Sequence, residues 1–286
     1  MILLHQKASP RALRIVECWI FSIWFLNVVF DPLTSLAQMP GDLYRSTGIL
    51  QFFYGDRLLW PQSFGFLIGL KTSLIMVLIL VLLNRGRPIT TFLAAFLLTV
   101  YQTLVRSFGH LNHPELMLLL STYVLSLYHF IPKRVLESFD RKEHDKTSSG
   151  VVLTILLFIF TMTYCFAGVH RVIVGFPDMF VNDTLVSWIV ENSKRFRLVN
   201  WNLDWMVTQI PVGEWMMKIG FPLVTVAEIL APFTLASRWM RYFFLIVIIP
   251  FHIMVWLFMG IFFWQNLALY VLFMDWTHLV KKRTHA

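Results

Sequence analysis

Long, mostly apolar stretches recur along this sequence, and they constrain its fold more than any other feature. A helix rises about 1.5 Å per residue, so roughly 20 residues cross the hydrocarbon core of a bilayer, which is about 30 Å thick. Inside that core every backbone N–H and C=O needs an internal partner, which an α-helix provides. The sequence therefore predicts an all-α, polytopic helical membrane protein.

We place about eight transmembrane helices on these stretches. The last two meet at Gly260, which would have to turn the chain sharply, and a single broken or re-entrant segment there would give seven spans instead. The predicted spans are roughly 12–30, 63–83, 88–105, 115–131, 151–174, 219–236, 242–258 and 261–276.

The composition agrees with a lipid environment. Hydrophobic residues make up 57% of the 286 positions and charged residues 14%, which leaves too little polar surface for a water-soluble chain of this length. A net charge of +8 could in principle indicate nucleic acid, but the basic residues lie between the apolar stretches. We therefore expect the lipid bilayer, and no nucleic acid, as a partner. Cys18 and Cys165 each lie inside an apolar stretch, so neither a disulfide framework nor a CxxC metal or redox motif is predicted.

The positions of Lys and Arg predict the orientation, because these residues remain preferentially on the cytoplasmic side of short loops. The proposed inner segments hold 15 of the 24 Lys and Arg residues, which places both termini in the cytoplasm and the chain in the cell membrane. We interpret the basic N-terminus and the apolar residues after it as a retained first helix, since no small-residue cleavage site follows. The inner basic residues are Lys7, Arg11, Arg14, Arg85, Arg87, Lys133, Arg134, Arg141, Lys142, Lys146, Arg238, Arg241, Lys281, Lys282 and Arg283.

Two polar segments interrupt the apolar stretches within what we treat as a single domain, residues 1–286. Residues 137–149 are rich in both signs of charge and predict a flexible linker on the inner side. The outer loop, about 176–218, mixes tryptophans with polar residues, which favours an amphipathic segment at the membrane surface or capping the bundle.

Ionisable side chains within a span cost about 2.5–3.5 kcal/mol on insertion scales, so each one is a candidate site residue. Glu228 is the best acid candidate, although a hydrogen bond to Lys71, Ser or Thr that locks the bundle would also explain it. Lys71 needs a carboxylate such as Glu228 or a polar cavity, and both a structural ion pair and a substrate contact remain open. For Glu17 we expect interfacial water or a pairing with Arg14, three residues earlier.

Histidines form a second group of candidates. His110 and His113 precede the fourth span and His170 lies with Arg171 near the outer end of the fifth, so all should face outward. Interfacial anchoring and a shared base or proton relay both remain open for them. His252 is a lone histidine within a span, where a packing role is more common than a catalytic one. No metal-ligand spacing such as HExxH occurs, so no metal site is predicted.

Four stretches of the sequence carry a family resemblance. They are LNHPELMLLLSTYVLSLY, TYCFAGVHRV, TVAEILAPFTL and PFHIMVWLFMGIFFWQNLALYVL. In order and spacing they resemble the horizontally transferred transmembrane domain family, which includes the membrane domain of vitamin K-dependent gamma-carboxylases and many smaller bacterial membrane proteins. The resemblance covers roughly residues 10–276 and implies a helical domain whose active side faces the lumen or the outside.

The resemblance also implies roles for individual residues. By position, Asn112 and His113 match the family's asparagine-histidine pair, Glu228 matches its embedded acid, and Phe251 and His252 match its Phe-His pair.

One departure from the family pattern lies at His170 and Arg171. The carboxylase has two lysines there, and the second resembles the base that begins oxygenation of reduced vitamin K. A guanidinium stays protonated, so Arg171 cannot act as that base, and His170 is one position out of register. The sequence also ends at Ala286 without the large lumenal domain with which carboxylases hold their substrates, so we do not expect glutamate carboxylation.

Three functions follow from these residues, and whether the chain is an enzyme stays open. We rank first a protein that assists maturation, modification or export of a secreted peptide through an outward-facing polar cavity, as implied by similarity to maturation factors of a sporulation-delaying peptide toxin. The alternatives are a quinone (vitamin K)-dependent carboxylase- or epoxidase-like enzyme using a reduced naphthoquinone, and a non-catalytic structural subunit or transporter. The catalytic candidates are His113, His170, Glu228 and His252, and the substrate-binding candidates are Arg171, Asn112 and Lys71.

Overall fold

The computed structural model describes residues 8–40, 63–107, 114–142, 147–175, 211–259 and 263–276. Within these ranges every regular element is helical, which confirms the all-α prediction. Five of the described helices are long and apolar enough to cross a membrane, or six if one bent pair counts as a span. The chain is thus a multi-pass membrane protein with helices suited to contact with a lipid bilayer.

The described residues form two compact units, one within His5–Leu156 and the other within Leu157–Met274. The first unit contains helices α1 to α5 and the start of α6, and the second contains the rest of α6 and helices α7 to α9. The α-helices are α1 Pro10–Phe30, α2 Phe64–Leu82, α3 Ile89–Arg106, α4 Pro114–Phe130, α5 Lys133–Lys142, α6 Ser148–Gly175, α7 Pro211–Ile229, α8 Arg238–Met259 and α9 Trp264–Leu269. The 3-10 helices are Leu33–Gln38, Ala231–Leu235 and Tyr270–Phe273.

In the first unit, α1 packs on α2, α2 on α3, α3 on α4, and α4 returns to α1. Helices α1 and α2 begin where a serine supplies an acceptor for one of their first N–H groups. The Ser9 hydroxyl accepts from the Ala12 N–H at 3.2 Å, and the Ser63 hydroxyl accepts from the Phe66 N–H at 3.3 Å. Apolar side chains fill the centre between the four helices, including the fully buried Ile20, Trp24, Leu74, Leu98 and Leu118.

A tight turn connects α2 with α3. Asn84 has φ of 60° and Gly86 has φ of 69°, a left-handed conformation that glycine adopts without a steric penalty and asparagine tolerates. The turn reverses the chain and places Arg87 at the end of the unit where α1 begins, next to Glu17.

A sharp bend of 92° separates α4 from α5. We expected a flexible linker over 137–149, but residues 137–142 belong to α5. The Asp140 carboxylate accepts from the Ser148 N–H at 2.7 Å and from its hydroxyl at 3.3 Å, so it caps the start of α6. The high charge of this segment indicated a solvated loop, whereas its apolar residues follow helical spacing.

In the second unit, α7 and the 3-10 helix Ala231–Leu235 pack against α8. Helix α7 approaches α6 at Gly168, where a side chain would come within 2.9 Å of the Glu228 Cβ. The predicted spans 219–236 and 261–276 each contain an α-helix followed by a 3-10 helix. Residues 211–218 of the predicted outer loop already belong to α7, while 176–210 and the predicted turn at Gly260 lie outside the described residues.

Candidate functional site

Arg171 and Glu228 form a buried ion pair between α6 and α7. The Arg171 Nη1 lies 2.6 Å from Glu228 Oε2 and its Nη2 lies 3.2 Å from Oε1. Glu228 is 3% exposed, and the Arg171 side chain is 24% exposed. This two-pronged contact matches the planar guanidinium to the carboxylate and neutralises both charges within an apolar unit.

Aromatic rings and a glycine hold this pair in place. The Arg171 Cζ lies 4.9 Å from the centroid of the Phe221 ring and 6.0 Å from that of Phe251, distances at which a ring face attracts a cation. Because Gly168 has no side chain, the Glu228 Cβ can lie directly against α6. The Glu228 carboxylate and the two aromatic rings therefore fix the position of the Arg171 guanidinium.

The partner of Glu228 differs from those that the sequence suggested. A hydrogen bond to Lys71, Ser or Thr was the structural alternative for this carboxylate and Arg171 was a substrate-binding candidate, but Glu228 and Arg171 bind each other. Lys71 instead donates from Nζ to the carbonyl oxygens of Val29, at 3.1 Å, and Asp31, at 2.8 Å. These carbonyls stand at the end of α1, where helical hydrogen bonding stops, so Lys71 acts as a structural cap.

His252 forms a second polar group in the same unit. It is 5% exposed, and its Nδ1 lies 2.9 Å from the Ile248 carbonyl oxygen. A carbonyl only accepts, so Nδ1 carries the proton and Nε2 is left as an acceptor. Nε2 lies 3.4 Å from both the Tyr164 hydroxyl and the Asn266 Nδ2. The Tyr270 hydroxyl completes the group, 3.2 Å from that of Tyr164.

Asn266 contributes an unusual feature to this group. The residue is only 7% exposed, and its buried side-chain Oδ1 has no hydrogen-bond partner among the described residues. A buried acceptor without a donor is costly, so native structures nearly always satisfy such an atom. The oxygen is thus available to an N–H or O–H group brought by a ligand. Aromatic rings surround the group, namely Phe160, Phe244, Phe251, Phe263 and Phe273.

The ion pair and the histidine group belong to one site. The Phe251 ring contacts both, since its centroid lies 5.5 Å from that of His252 and 6.0 Å from the Arg171 Cζ. The arrangement thus presents a fixed guanidinium, an imidazole acceptor and an amide oxygen within one apolar unit.

The remaining candidates from the sequence are placed differently. His170 is exposed, and none of the hydrogen bonds or ion pairs in the described ranges involves it. His110, Asn112 and His113 lie outside the described residues. Within those same ranges, no cluster of three or more His, Cys, Asp or Glu side chains could hold a metal ion.

Sequence reasoning missed Tyr164, Tyr270 and Asn266. Tyrosines are common in apolar helices and carry little signal. An asparagine in an apolar stretch is more informative, because its amide needs partners that lipid cannot supply.

A separate polar cluster surrounds Glu17 in the first unit. Glu17 is 1% exposed, and its carboxylate lies 3.2 Å from Arg14 Nη1, 2.7 Å from Arg87 Nη2 and 3.0 Å from His129 Nε2. The predicted pairing with Arg14 is confirmed. Arg14 also donates to the carbonyl of Leu82 at 2.7 Å, so the cluster joins α1, α2, α4 and the turn before α3 at one end of the unit and has a structural role.

No family model matches this chain, and no curated protein or solved structure matches it either. The candidate site therefore rests on the geometry of the described residues.

Proposed function

We propose that this chain is a membrane protein of the horizontally transferred transmembrane type, which assists the maturation, modification or export of a secreted peptide. The observation that carries the proposal is the pairing of Arg171 with Glu228 beside the histidine group, in which the Asn266 Oδ1 has no hydrogen-bond partner among the described residues. Ionisable groups inside membrane helices are costly and usually mark a functional pathway. A purely structural lock between helices would need the ion pair but not the unpaired acceptor.

The proposed site binds a peptide through its polar groups. The Asn266 Oδ1 accepts a hydrogen bond from a backbone N–H of the peptide, and the imidazole of His252 presents Nε2 as a hydrogen-bond acceptor. Arg171 uses two of its five N–H donors on Glu228, so a peptide carboxylate can bind at its exposed edge. By the family resemblance, Asn112 and His113 also take part in the function.

The proposal includes a finer topology. The chain crosses the cell membrane about eight times, with both termini in the cytoplasm, the site facing outward and an amphipathic segment within the outer loop. The distribution of basic residues supports this orientation.

The aromatic surroundings of His252 favour a second candidate, a quinone-dependent membrane enzyme. Phe160, Tyr164 and Tyr270 form ring contacts with centroids 5.0 to 5.6 Å apart, a setting that suits a planar ring, and the Asn266 Oδ1 fits a hydroxyl of a reduced naphthoquinone. Such a cofactor would supply the chemical drive. Arg171 cannot serve as its base, so this candidate ranks below the peptide function.

The experiment compares peptides secreted by the native host, measured by mass spectrometry, after deletion and after complementation with the wild-type chain or a variant. We expect at least one secreted peptide to disappear or lose a modification on deletion, and neither R171Q nor E228Q to restore it. The matched control is E137Q, since Glu137 pairs with Arg141 at 3.9 Å but is 64% exposed. It should complement fully. If no secreted peptide depends on the chain, the peptide function is wrong.

Two further variants separate the candidates. R171E/E228R exchanges the charges, so full complementation by this variant would show that the pair only locks helices together. R171K restores a titratable amine and should lower peptide maturation, because Lys lacks the two-pronged geometry. A gain of reduced-naphthoquinone oxidation in R171K would instead support the quinone enzyme.

A further inference from the structure

Helix α5 lies outside the candidate site, and its bend and charge pattern indicate a separate role. It follows α4, the helix of the predicted span 115–131, after a bend of 92°, so its axis runs perpendicular to that helix. Its ten residues include Lys133, Arg134, Glu137, Asp140 and Arg141, which makes a continuation of the span through hydrocarbon costly. A helix that turns by a right angle at the end of a span lies along the membrane surface.

The apolar residues of α5 lie on one side. At about 100° per residue, Val135, Leu136 and Phe139 fall within an arc of about 100°. Val135 is 55% exposed and Phe139 is 36% exposed, so the described residues cover this face only in part. Lys133, Arg134, Glu137 and Arg141 occupy the opposite side of the helix. This division is typical of helices that rest in the interfacial layer of a membrane.

The charges of α5 favour an anionic surface. The helix contains two acidic residues and four basic ones, Lys133, Arg134, Arg141 and Lys142. One of the acidic residues, Asp140, is engaged with Ser148 at the start of α6, and the other, Glu137, pairs weakly with Arg141 across 3.9 Å. Lys133 and Arg134 stand at the corner between α4 and α5, closest to where the span leaves the hydrocarbon.

We infer that α5 is an interfacial helix that binds the surface of the bilayer crossed by α4. Val135, Leu136 and Phe139 enter the boundary between headgroups and acyl chains, and the basic residues bind the phosphates of anionic lipids. Because Asp140 caps α6 at Ser148, the two helices are held together at this point. Lipid binding at α5 therefore sets how deep in the bilayer α6 begins. This inference does not depend on the proposed peptide function.

The test uses the full chain in lipid nanodiscs, with Cys18 and Cys165 replaced by alanine. Single spin labels are placed at Val135 and Phe139 on the apolar face, and at Arg134 and Glu137 on the polar face. Collisions with oxygen report burial in lipid and collisions with a water-soluble nickel chelate report exposure to water. We expect oxygen to dominate at the first two positions and nickel at the other two. Nickel dominating at all four positions, or oxygen at all four, would overturn the inference.

A second measurement tests the lipid charge with spin-labelled phosphatidylglycerol, through the fraction of this lipid that the protein immobilises. K133Q/R134Q should weaken its binding by about fivefold for each basic residue removed, whereas the charge-conserving control K133R/R134K should bind it like the wild type. Phosphatidylcholine binding should be equal in all three proteins. Unchanged phosphatidylglycerol binding in K133Q/R134Q would show that anionic lipid is not the partner.

Discussion

Gly168 should tolerate no side chain, because α6 and α7 touch at this position. In G168A the new Cβ would lie 2.9 Å from the Glu228 Cβ, 3.0 Å from the Ile229 Cγ1 and 3.0 Å from the Ile229 backbone nitrogen. A side-chain atom can move aside, but the backbone nitrogen moves only with α7 itself. The substitution should therefore push the two helices apart and lengthen the contact between Arg171 and Glu228.

Two opposing effects determine the size of the change. Overpacking in a well-packed interior costs about 1–3 kcal/mol. Replacing glycine by alanine within a helix favours the folded state by about 1 kcal/mol. The matched control G220A in α7 gains the same helical preference. It adds no packing cost, because a Cβ at Gly220 has nothing within 4 Å. The difference between the two variants thus cancels the helical term and equals the packing cost, about 1–3 kcal/mol.

The assay is reversible unfolding of the purified chain by sodium dodecyl sulfate in mixed micelles, followed by circular dichroism. G168A should be less stable than G220A by that difference, and G220A should equal or exceed the wild type. We also expect G168A to impair peptide maturation more than G220A does. If the free energies of unfolding of G168A and G220A agree within about 0.5 kcal/mol, then α6 and α7 do not pack as described.

Two further substitutions test the first unit by the same unfolding assay. E17Q leaves Arg14 and Arg87 without their shared carboxylate, and we expect a loss of about 3 kcal/mol, as for other broken buried pairs; a loss no larger than that of an exposed pair would contradict the cluster. K71M removes the ammonium that caps α1, and we expect a loss of about 1–3 kcal/mol. Unchanged stability in K71M, together with lost peptide maturation, would instead favour a substrate contact.

Most helix positions could be predicted because apolar stretches are a local property of the sequence. The predicted span 63–83 became α2, Phe64–Leu82, and the predicted span 88–105 became α3, Ile89–Arg106. The high density of charge at 137–149 was misleading. The spacing of the apolar residues Val135 and Phe139 fits helix α5, which includes the start of this segment. Charge density does not distinguish a solvated loop from an amphipathic helix, since both expose the same side chains to water.

The ionisable residues of the candidate site were predictable from the sequence, but their pairings and the polar residues Tyr164, Tyr270 and Asn266 were not. The free-energy cost of inserting a charged side chain into a membrane was enough to identify Glu228 and Arg171 as unusual. Their contact joins positions 57 residues apart in sequence, and no local pattern encodes such a distance. The Glu17 cluster shows the same limit, because the neighbouring Arg14 was predicted whereas the distant Arg87 was not.

The Glu17 cluster also has a consequence for how the chain is made. Arg87 follows Glu17 by 70 residues and His129 follows it by 112. At about 5–20 residues per second, a ribosome needs about 4–14 s to add Arg87 after Glu17. During this interval Arg14 is the one basic member of the cluster that is already made, so we expect the first helix to stay near the insertion machinery or the headgroup layer until the third helix begins to emerge.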